Sequence, residues 1–473
     1  MKRARYDLVV VGAGSGGYAA ARTARELGAS VALVDRGPLG GLCILRGCMP
    51  SKTLIASSDT AYAVRHAREL GIDADLRGVD VPAIVARKDR IIQGFADDRI
   101  VWLRTYPLYE GRAHFASPRE LAVGDDIVLE ADRFIIATGS VVAPPVIPGL
   151  AETGYLDSDG ALALETLPES LIVLGGGYVA CELGQYFARL GVPTTMILRA
   201  PHVLSCEDDD VGNALMAALR DEGMRVETRA RPEAAELRDG GKVVRYARGD
   251  AVAGIEVGEV QGAEILYALG RVPDIVGLEL ERAEVRYHAI TGIEVDAQLR
   301  TSNPNVFAVG DVTGVFQLVH VAIYQGEVAA RNAIRRTDER ADYSLVRTHA
   351  VFTDPQVAVV GATEKELQKA ETPYLAASYP FDDHGKSIVL GRTKGFVKML
   401  AAAGDGRILG AAVVGPEGSD LIAELTVAMS FDATVYEFVK IPHLHPTLAE
   451  IWTYPAEELV GLLASVKTHA AAI

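Results

Sequence analysis

A chain of 473 residues is far longer than one hydrophobic core requires, and its length corresponds to about three domains of ordinary size. With 49% hydrophobic and 23% charged residues it has the composition of a soluble globular protein, and a formal charge of −16 excludes a general nucleic-acid or anionic-membrane surface. Four cysteines are too few for a secreted disulfide scaffold, and neither a signal peptide nor an apolar run of about eighteen residues is visible, so we expect a cytoplasmic protein with no nucleic-acid and no membrane partner.

Tyr6–Val11 is a run of β-formers that ends in GAGSGG, and an alanine-rich helix over 18–27 and a second strand over 30–34 follow. Gly12, Gly14 and Gly17 match G-x-G-x-x-G, and Asp35 closes the second strand where a carboxylate can accept from a ribose hydroxyl. The chemistry behind the spacing is a tight turn, backbone approach to a pyrophosphate and a helix N-terminus that meets its charge. This unit is expected to bind a dinucleotide.

GGLCILRGCMPSKTL follows, with Cys43 and Cys48 five residues apart. On a regular helix that spacing gives about 140° of rotation and about 7.5 Å of rise, whereas a disulfide needs its Cα atoms within about 7 Å. A bridge therefore requires a break in the helix, which Gly47 and Pro50 can provide. A small strained loop of this kind is reducible and catalytic; two separate buried thiols are the alternative. Arg46 adds a cation to this loop.

Residues 51–68 and 79–105 read as helices, the second with a solvated charged face. Strands are expected over 110–115 and 126–138, and Pro144, Pro145 and Pro148 form a stiff boundary. A second strand–turn–helix–strand follows: a strand over 170–174, Gly175, Gly177 and Ala180 as G-x-G-x-x-A, a helix over 181–190 and a strand over 194–198. This one ends in Arg199, with His202 nearby, rather than in a carboxylate, which favours a 2′-phosphate and hence NADPH over NADH. Residues 207–210 read as a solvated helix start, Val226–Val260 as strands with a charged face, and LGRVP, containing Gly270, as the end of the domain. A buried strand then leads to Asp311, an acid placed to hold a polyol hydroxyl, and a helix over 320–334 follows.

From Thr348 the pattern becomes antiparallel, with strands over 352–361, 396–400 and 408–414 and helices over 363–369 and 420–430, an α+β domain suited to self-association. His443 and His445 form H-x-H without a third ligand at usable spacing, so no metal is assigned. Pro446 suits the first position of a helix and leaves His445 at its entrance with Glu450 one turn on. A carboxylate beside an imidazole fixes its tautomer and stabilises its cation, as acid–base chemistry needs.

Taken in order, these motifs resemble the flavoprotein pyridine nucleotide-disulfide reductases, the family of dihydrolipoamide dehydrogenase, glutathione reductase and mercuric reductase, over essentially the whole chain. The resemblance implies an α/β fold of two Rossmann-like dinucleotide-binding domains and a C-terminal α+β dimerisation domain: FAD-binding over 1–150, NAD(P)-binding over 151–274, a central domain completing the FAD site over 275–346 and an interface domain over 347–473. It implies FAD on Gly12, Gly14, Gly17, Asp35, Gly111, Ala113, Thr138, Gly139 and Asp311, and NAD(P)H on Gly175, Gly177, Tyr178, Ala180, Arg199 and Gly270. Cys43 and Cys48 would form the redox disulfide, with Cys48 nearer the flavin and Cys43 attacking substrate; Lys52 and Glu182 resemble the ion pair beside the flavin, and Tyr178 the residue that covers it until nicotinamide enters. His445 and Glu450 resemble the acid–base dyad supplied across a homodimer interface.

The substrate implied is a small-molecule or protein-bound dithiol or disulfide, with dihydrolipoamide/lipoamide first. NADPH-dependent reduction of a glutathione-type disulfide or of mercuric ion is the alternative, and a redox-sensing flavoprotein acting through partner binding is a reading from another class. CMPSK resembles the lipoamide and mercuric branch, while Tyr178, Ala180 and Arg199 resemble the glutathione reductase pattern.

Overall fold

The computed structural model describes residues 2–250, 254–344 and 346–471. The strands expected over Val226–Val260 include 251–253, and the expected C-terminal domain reaches 473; those positions lie outside the described residues. The chain divides into two compact units, one of residues 1–53, 83–144 and 270–346 and the other of 54–82, 145–269 and 347–473.

In the first unit, β1 (Lys2–Val11) is parallel to both β2 (Val31–Asp35) and Ile127–Ile136, because α1 (Ser15–Glu26) carries the chain back between β1 and β2. Leu8, Val9 and Val10 are fully buried, as strands covered on both faces require. The seven-stranded sheet continues outward through Leu108–Glu110 on one side and, on the other, through Glu120–Val123 and Ala113–Ser117, while Val306–Ala308 also pairs with Ile127–Ile136. The closest packing is steric in origin. A Cβ on Gly17 would lie 1.8 Å from the carbonyl oxygen of Gly12, so α1 can cross the strand end only with glycine there.

Two helices carry the cysteines, α2 (Leu42–Leu45) and α3 (Cys48–His66), with the break between them at Arg46 and Gly47. The helix expected over 51–68 thus begins at Cys48 instead. Pro50 lies in its first turn, where a missing N–H has no intrahelical partner to lose. Cys48 thereby gains the positive end of a 19-residue helix.

In the second unit, β3 (Leu171–Leu174), α4 (Tyr178–Arg189) and β4 (Thr194–Ile197) repeat the same turn, and Arg225–Glu227 and Glu264–Tyr267 complete a four-stranded parallel sheet. The charged strands form a three-stranded antiparallel sheet from Ala230–Arg238, Gly241–Asp250 and Gly254–Gly262. The C-terminal part is a five-stranded antiparallel sheet in the order His349–Val351, Gln356–Gly361, Ile408–Gly415, Phe396–Ala402, Tyr374–Pro380. Helices Gly418–Ser430 and Thr453–Ala471 pack on it around Trp452, Phe381 and Phe438. The strand over Tyr374–Pro380 and the last helix were not distinguished in the sequence, where short apolar runs lack a decisive period.

Residues 207–210 do open a helix, Asp209–Asp221, with Asp209 and Asp210 exposed, but the first half of the run is not solvated. Glu207 and Asp208 are buried, and Lys398 from the five-stranded sheet supplies the missing charge, with its Nζ 2.9 Å from Asp208, 2.8 Å from Asp210 and 2.8 Å from Glu364. A buried cation among three carboxylates replaces the water that a surface run would use.

Candidate active site

In the first unit the glycine turn is built for a negatively charged guest. Gly12 has φ +103°, and its N–H donates to Val34 O at 2.7 Å. Gly14 caps α1 without a side-chain hydrogen bond, so the first N–H groups of that helix are not consumed by a side-chain cap. The Asp35 carboxylate accepts from the N–H of Ala13 and of Gly37, both at 2.7 Å, and so braces the turn from below. Gly111 donates to Asp35 O at 2.8 Å, Ala113 opens the strand at the other edge of the sheet, and the O of Gly139 accepts from Asp274 at 3.0 Å. The Thr138 hydroxyl is buried without a partner among the described residues.

Asp311 lies in a single turn of 3-10 helix, Gly310–Thr313. Burial pushes its carboxyl above the usual range, against the Ser140 hydroxyl, which donates to it at 2.7 Å, and the field of Arg271. Arg271 also donates to Ser140 Oγ at 2.9 Å. The uncapped helix, the glycine cradle and the orphaned Thr138 hydroxyl together fit a dinucleotide with polyol and phosphate oxygens. Gly270, with φ +117°, accepts from the Ala143 N–H at 3.1 Å.

The cysteines begin where that cradle ends. A Cβ on Gly41 would lie 2.7 Å from the Cα of Gly14, so the start of α2 rests directly on the glycine turn. Both cysteines are half-buried. The hydrogen bond from Cys43 to Cys48, then burial, push the Cys43 thiol up, while the Cys48 N–H and the field of Lys52 act the other way. Cys48 lies at the N-terminus of α3, where the helix dipole favours a negative charge.

Arg99 also acts on this site. It stacks 4.5 Å over the Tyr18 ring, and burial pulls its pKa down against the fields of Tyr18 and Cys43. Its helix, Val81–Leu103, was read as having a solvated charged face; Arg99 and the buried Lys88 depart from that because they turn toward the unit's interior. Arg46 is exposed and its field acts on Asp274, which Arg36 contacts at 2.5 Å.

In the second unit Gly175 has φ +123°, and a Cβ there would meet the Ala268 oxygen at 2.5 Å. Gly177 caps α4 with no side-chain hydrogen bond, and Ala180 is fully buried. Glu182 is buried and accepts from the Phe352 N–H at 3.0 Å. Lys52, its expected partner, belongs to the first unit. Arg199 is exposed just beyond β4, whereas His202 is buried and bound to the Val203 carbonyl and to Asp209, so it is spent on its own loop. Tyr178, the first residue of α4, donates to Glu207 at 3.1 Å, and His349 lies 2.9 Å from the same oxygen.

His445 and Glu450 do come together: Nδ1 lies 3.0 Å from the carboxylate, with the imidazole side chain 80% exposed and Glu450 only 14%. The helix does not begin at Pro446, however. Thr447 and Glu450 cap one another reciprocally, at 3.3 and 3.4 Å, which delays the helical turn to Ala449–Trp452. Buried His384 approaches the other carboxylate oxygen at 3.6 Å. His443 is bound to Glu424 at 2.7 Å, and no cluster of metal-ligating side chains occurs among the described residues. Neither His384, His349 nor Arg99 carried a local sequence signal, since each acquires its partner through the fold.

Residues 6–326 match the family described as pyridine nucleotide-disulphide oxidoreductase, and residues 348–456 match the dimerisation domain of that family. The chain belongs to this family. The dihydrolipoyl dehydrogenase of Chlamydia pneumoniae is 34% identical to this oxidoreductase over 94% of the chain and 95% of its own length. The mercuric reductase of Streptomyces lividans is 34% identical over 98% of both chains. The solved structure of LpdA from Mycobacterium tuberculosis superposes with a TM-score of 0.83 at 27% identity, covering 97% of this chain and all of that one. The family is FAD- and NAD(P)-dependent, so this oxidoreductase is a flavoprotein enzyme of disulfide chemistry, and its dimerisation domain supports a homodimer. No described helix is long and apolar enough to cross a membrane.

Proposed function

We propose that this oxidoreductase transfers electrons between NAD(P)H and a dithiol–disulfide substrate through Cys43 and Cys48, with lipoamide as the substrate and NADPH as the favoured nucleotide. The observation that carries the reading is the hydrogen-bonded Cys43–Cys48 pair, starting in van der Waals contact with a glycine turn that fits a dinucleotide. When bound there, FAD supplies the two-electron exchange between the nicotinamide and the sulfur pair.

In the direction of disulfide reduction, Cys43 loses its proton and attacks one substrate sulfur, breaking the S–S bond and releasing the other sulfur as a thiolate. Cys48 then attacks the Cys43 sulfur, forming the Cys43–Cys48 disulfide and releasing the second substrate thiolate. The substrate gains two electrons and the pair loses two. Cys43 needs an acceptor for its proton, and each departing thiolate needs a donor. His445, exposed and oriented by half-buried Glu450, has the chemistry for both tasks.

Lipoamide is supported by the similarity to dihydrolipoyl dehydrogenases, and NADPH by exposed Arg199 in place of a ribose-binding carboxylate. The similarity to a mercuric reductase keeps mercuric ion as a second reading. The test is turnover of the purified holoenzyme on lipoamide and dihydrolipoamide, glutathione disulfide and mercuric ion, each with NADH and with NADPH. Activity on lipoamide in either direction is expected, faster with the phosphorylated nucleotide; no lipoamide activity alongside turnover of either competitor overturns the assignment.

A further inference from the structure

Glu207 is a buried carboxylate, 4% exposed, that receives two side-chain donors on one oxygen. One is the hydroxyl of Tyr178, at the first position of α4. The other is His349 Nε2, at 2.9 Å, while His349 Nδ1 lies 3.1 Å from the Arg347 carbonyl. A carboxylate and a carbonyl only accept, so with Glu207 ionised this arrangement calls for a proton on both ring nitrogens of His349, an imidazolium. The loop bearing Glu207 is fastened to the glycine turn a second time, by the Leu204 N–H donating to Gly176 O at 2.7 Å. A protonated histidine from the five-stranded sheet therefore neutralises a carboxylate hydrogen-bonded to the entry of the second nucleotide motif.

We propose that His349 and Glu207 are positioning residues for the nicotinamide nucleotide: their ion pair fixes Tyr178 at the start of α4 and keeps an uncompensated negative charge away from an anionic ligand. The inference rests on the second glycine turn being the nicotinamide site. Burial by itself drives the His349 proton off, but the hydrogen bond and charge of Glu207 more than reverse this and raise its pKa. The pair is accordingly intact below the ordinary histidine value and is lost as pH rises through the raised one.

The other charged groups around it are otherwise engaged. Arg347, whose field opposes the imidazolium, is paired with Glu366 at 2.6 Å; Lys365 donates to the Glu207 main-chain carbonyl; Asp208 is held by Lys398; and the Cys206 thiol acts on Tyr178. Once His349 is neutral, one of its nitrogens faces an acceptor, and the Glu207 charge is exposed to whatever phosphate lies at the N-terminus of α4.

The test is calorimetric titration of the intact flavoprotein with NAD⁺ and NADP⁺ from about pH 6 to 9, a range in which NAD⁺ itself carries no titrating phosphate or carboxyl group. Affinity for both is expected to fall by about tenfold across the His349 titration, the scale of one uncompensated charge about 12 Å from a bound anion at an effective dielectric of about 20. His349→Gln is expected to bind weakly at every pH, and Glu207→Gln tightly at every pH. These opposite, flat profiles are not what general loss of structure gives. A wild-type affinity that does not change with pH, or both variants shifting in the same direction, overturns the proposal while leaving the nucleotide site intact. Absence of binding by either nucleotide at all pH values overturns the site and the proposal together.

Discussion

The two glycine turns share a plan and differ in what braces them. Each follows a buried parallel strand, has its first glycine at positive φ, and opens a helix capped by a glycine with no side-chain hydrogen bond. The first is braced locally: Asp35, at the end of the adjacent strand, accepts from Ala13 and Gly37. The second has no such carboxylate and is held by Glu207, which in turn depends on His349 far along the chain. A turn braced by its own strand is encoded in a short segment, whereas one braced at long range is coupled to protonation and to the packing of a distant sheet.

Four variants break or sharpen that comparison. The largest effect is expected from Gly17→Ala, because the added Cβ would lie 1.8 Å from the Gly12 oxygen, whereas the equivalent position of the second turn already holds Ala180. A loss of order 4 kcal/mol or more is expected, seen as failure to purify with flavin and a collapsed melting transition.

Next is Lys398→Met, which leaves Asp208, Asp210 and Glu364 without their shared cation. Breaking such a buried cluster costs about 3–5 kcal/mol, measurable by urea unfolding. Burial raises the Asp208 pKa, but Lys398 and the main-chain N–H groups of Glu364 and Lys365 bring it below the ordinary aspartate value. Its stabilising contribution is therefore present above that ordinary value and is lost as pH falls through the depressed one, a loss that should vanish in the variant.

Arg199→Glu addresses the open end of β4, where the first turn has Asp35. It is expected to shift the NADPH-to-NADH ratio of kcat/KM toward NADH by about tenfold, equivalent to about 1.4 kcal/mol; an unchanged ratio removes the argument for NADPH. Gly177→Ala should do least. Nothing lies within 4 Å of the new Cβ and the backbone is extended, so a change of at most about 1 kcal/mol in thermal stability is expected, from the poorer helix cap alone.

Much of the candidate site's local architecture was legible in the chain because its logic is local. The glycine spacing, the strands before it and the Cys43–Cys48 interval each follow from steric and helical geometry within a few residues, and the alternation after Thr348 announced an antiparallel sheet. Even His445 and Glu450 sit close enough in sequence for their meeting to be expected, although the reciprocal cap between Thr447 and Glu450 moved the helix start.

What the sequence could not disclose were the charges whose partners arrive from elsewhere. Glu207 and Asp208 look like part of a surface run until His349 and Lys398 are brought against them, and Arg99 looks solvated with the rest of the charged face of Val81–Leu103 until it is found over Tyr18. Composition and period determined the α/β architecture, the two glycine turns and the Cys43–Cys48 spacing, since backbone sterics and hydrophobic burial act over a few residues. Only the tertiary structure decided which carboxylates are compensated, because a buried charge is stable only when the fold delivers its counterion, and that counterion has no fixed distance along the chain.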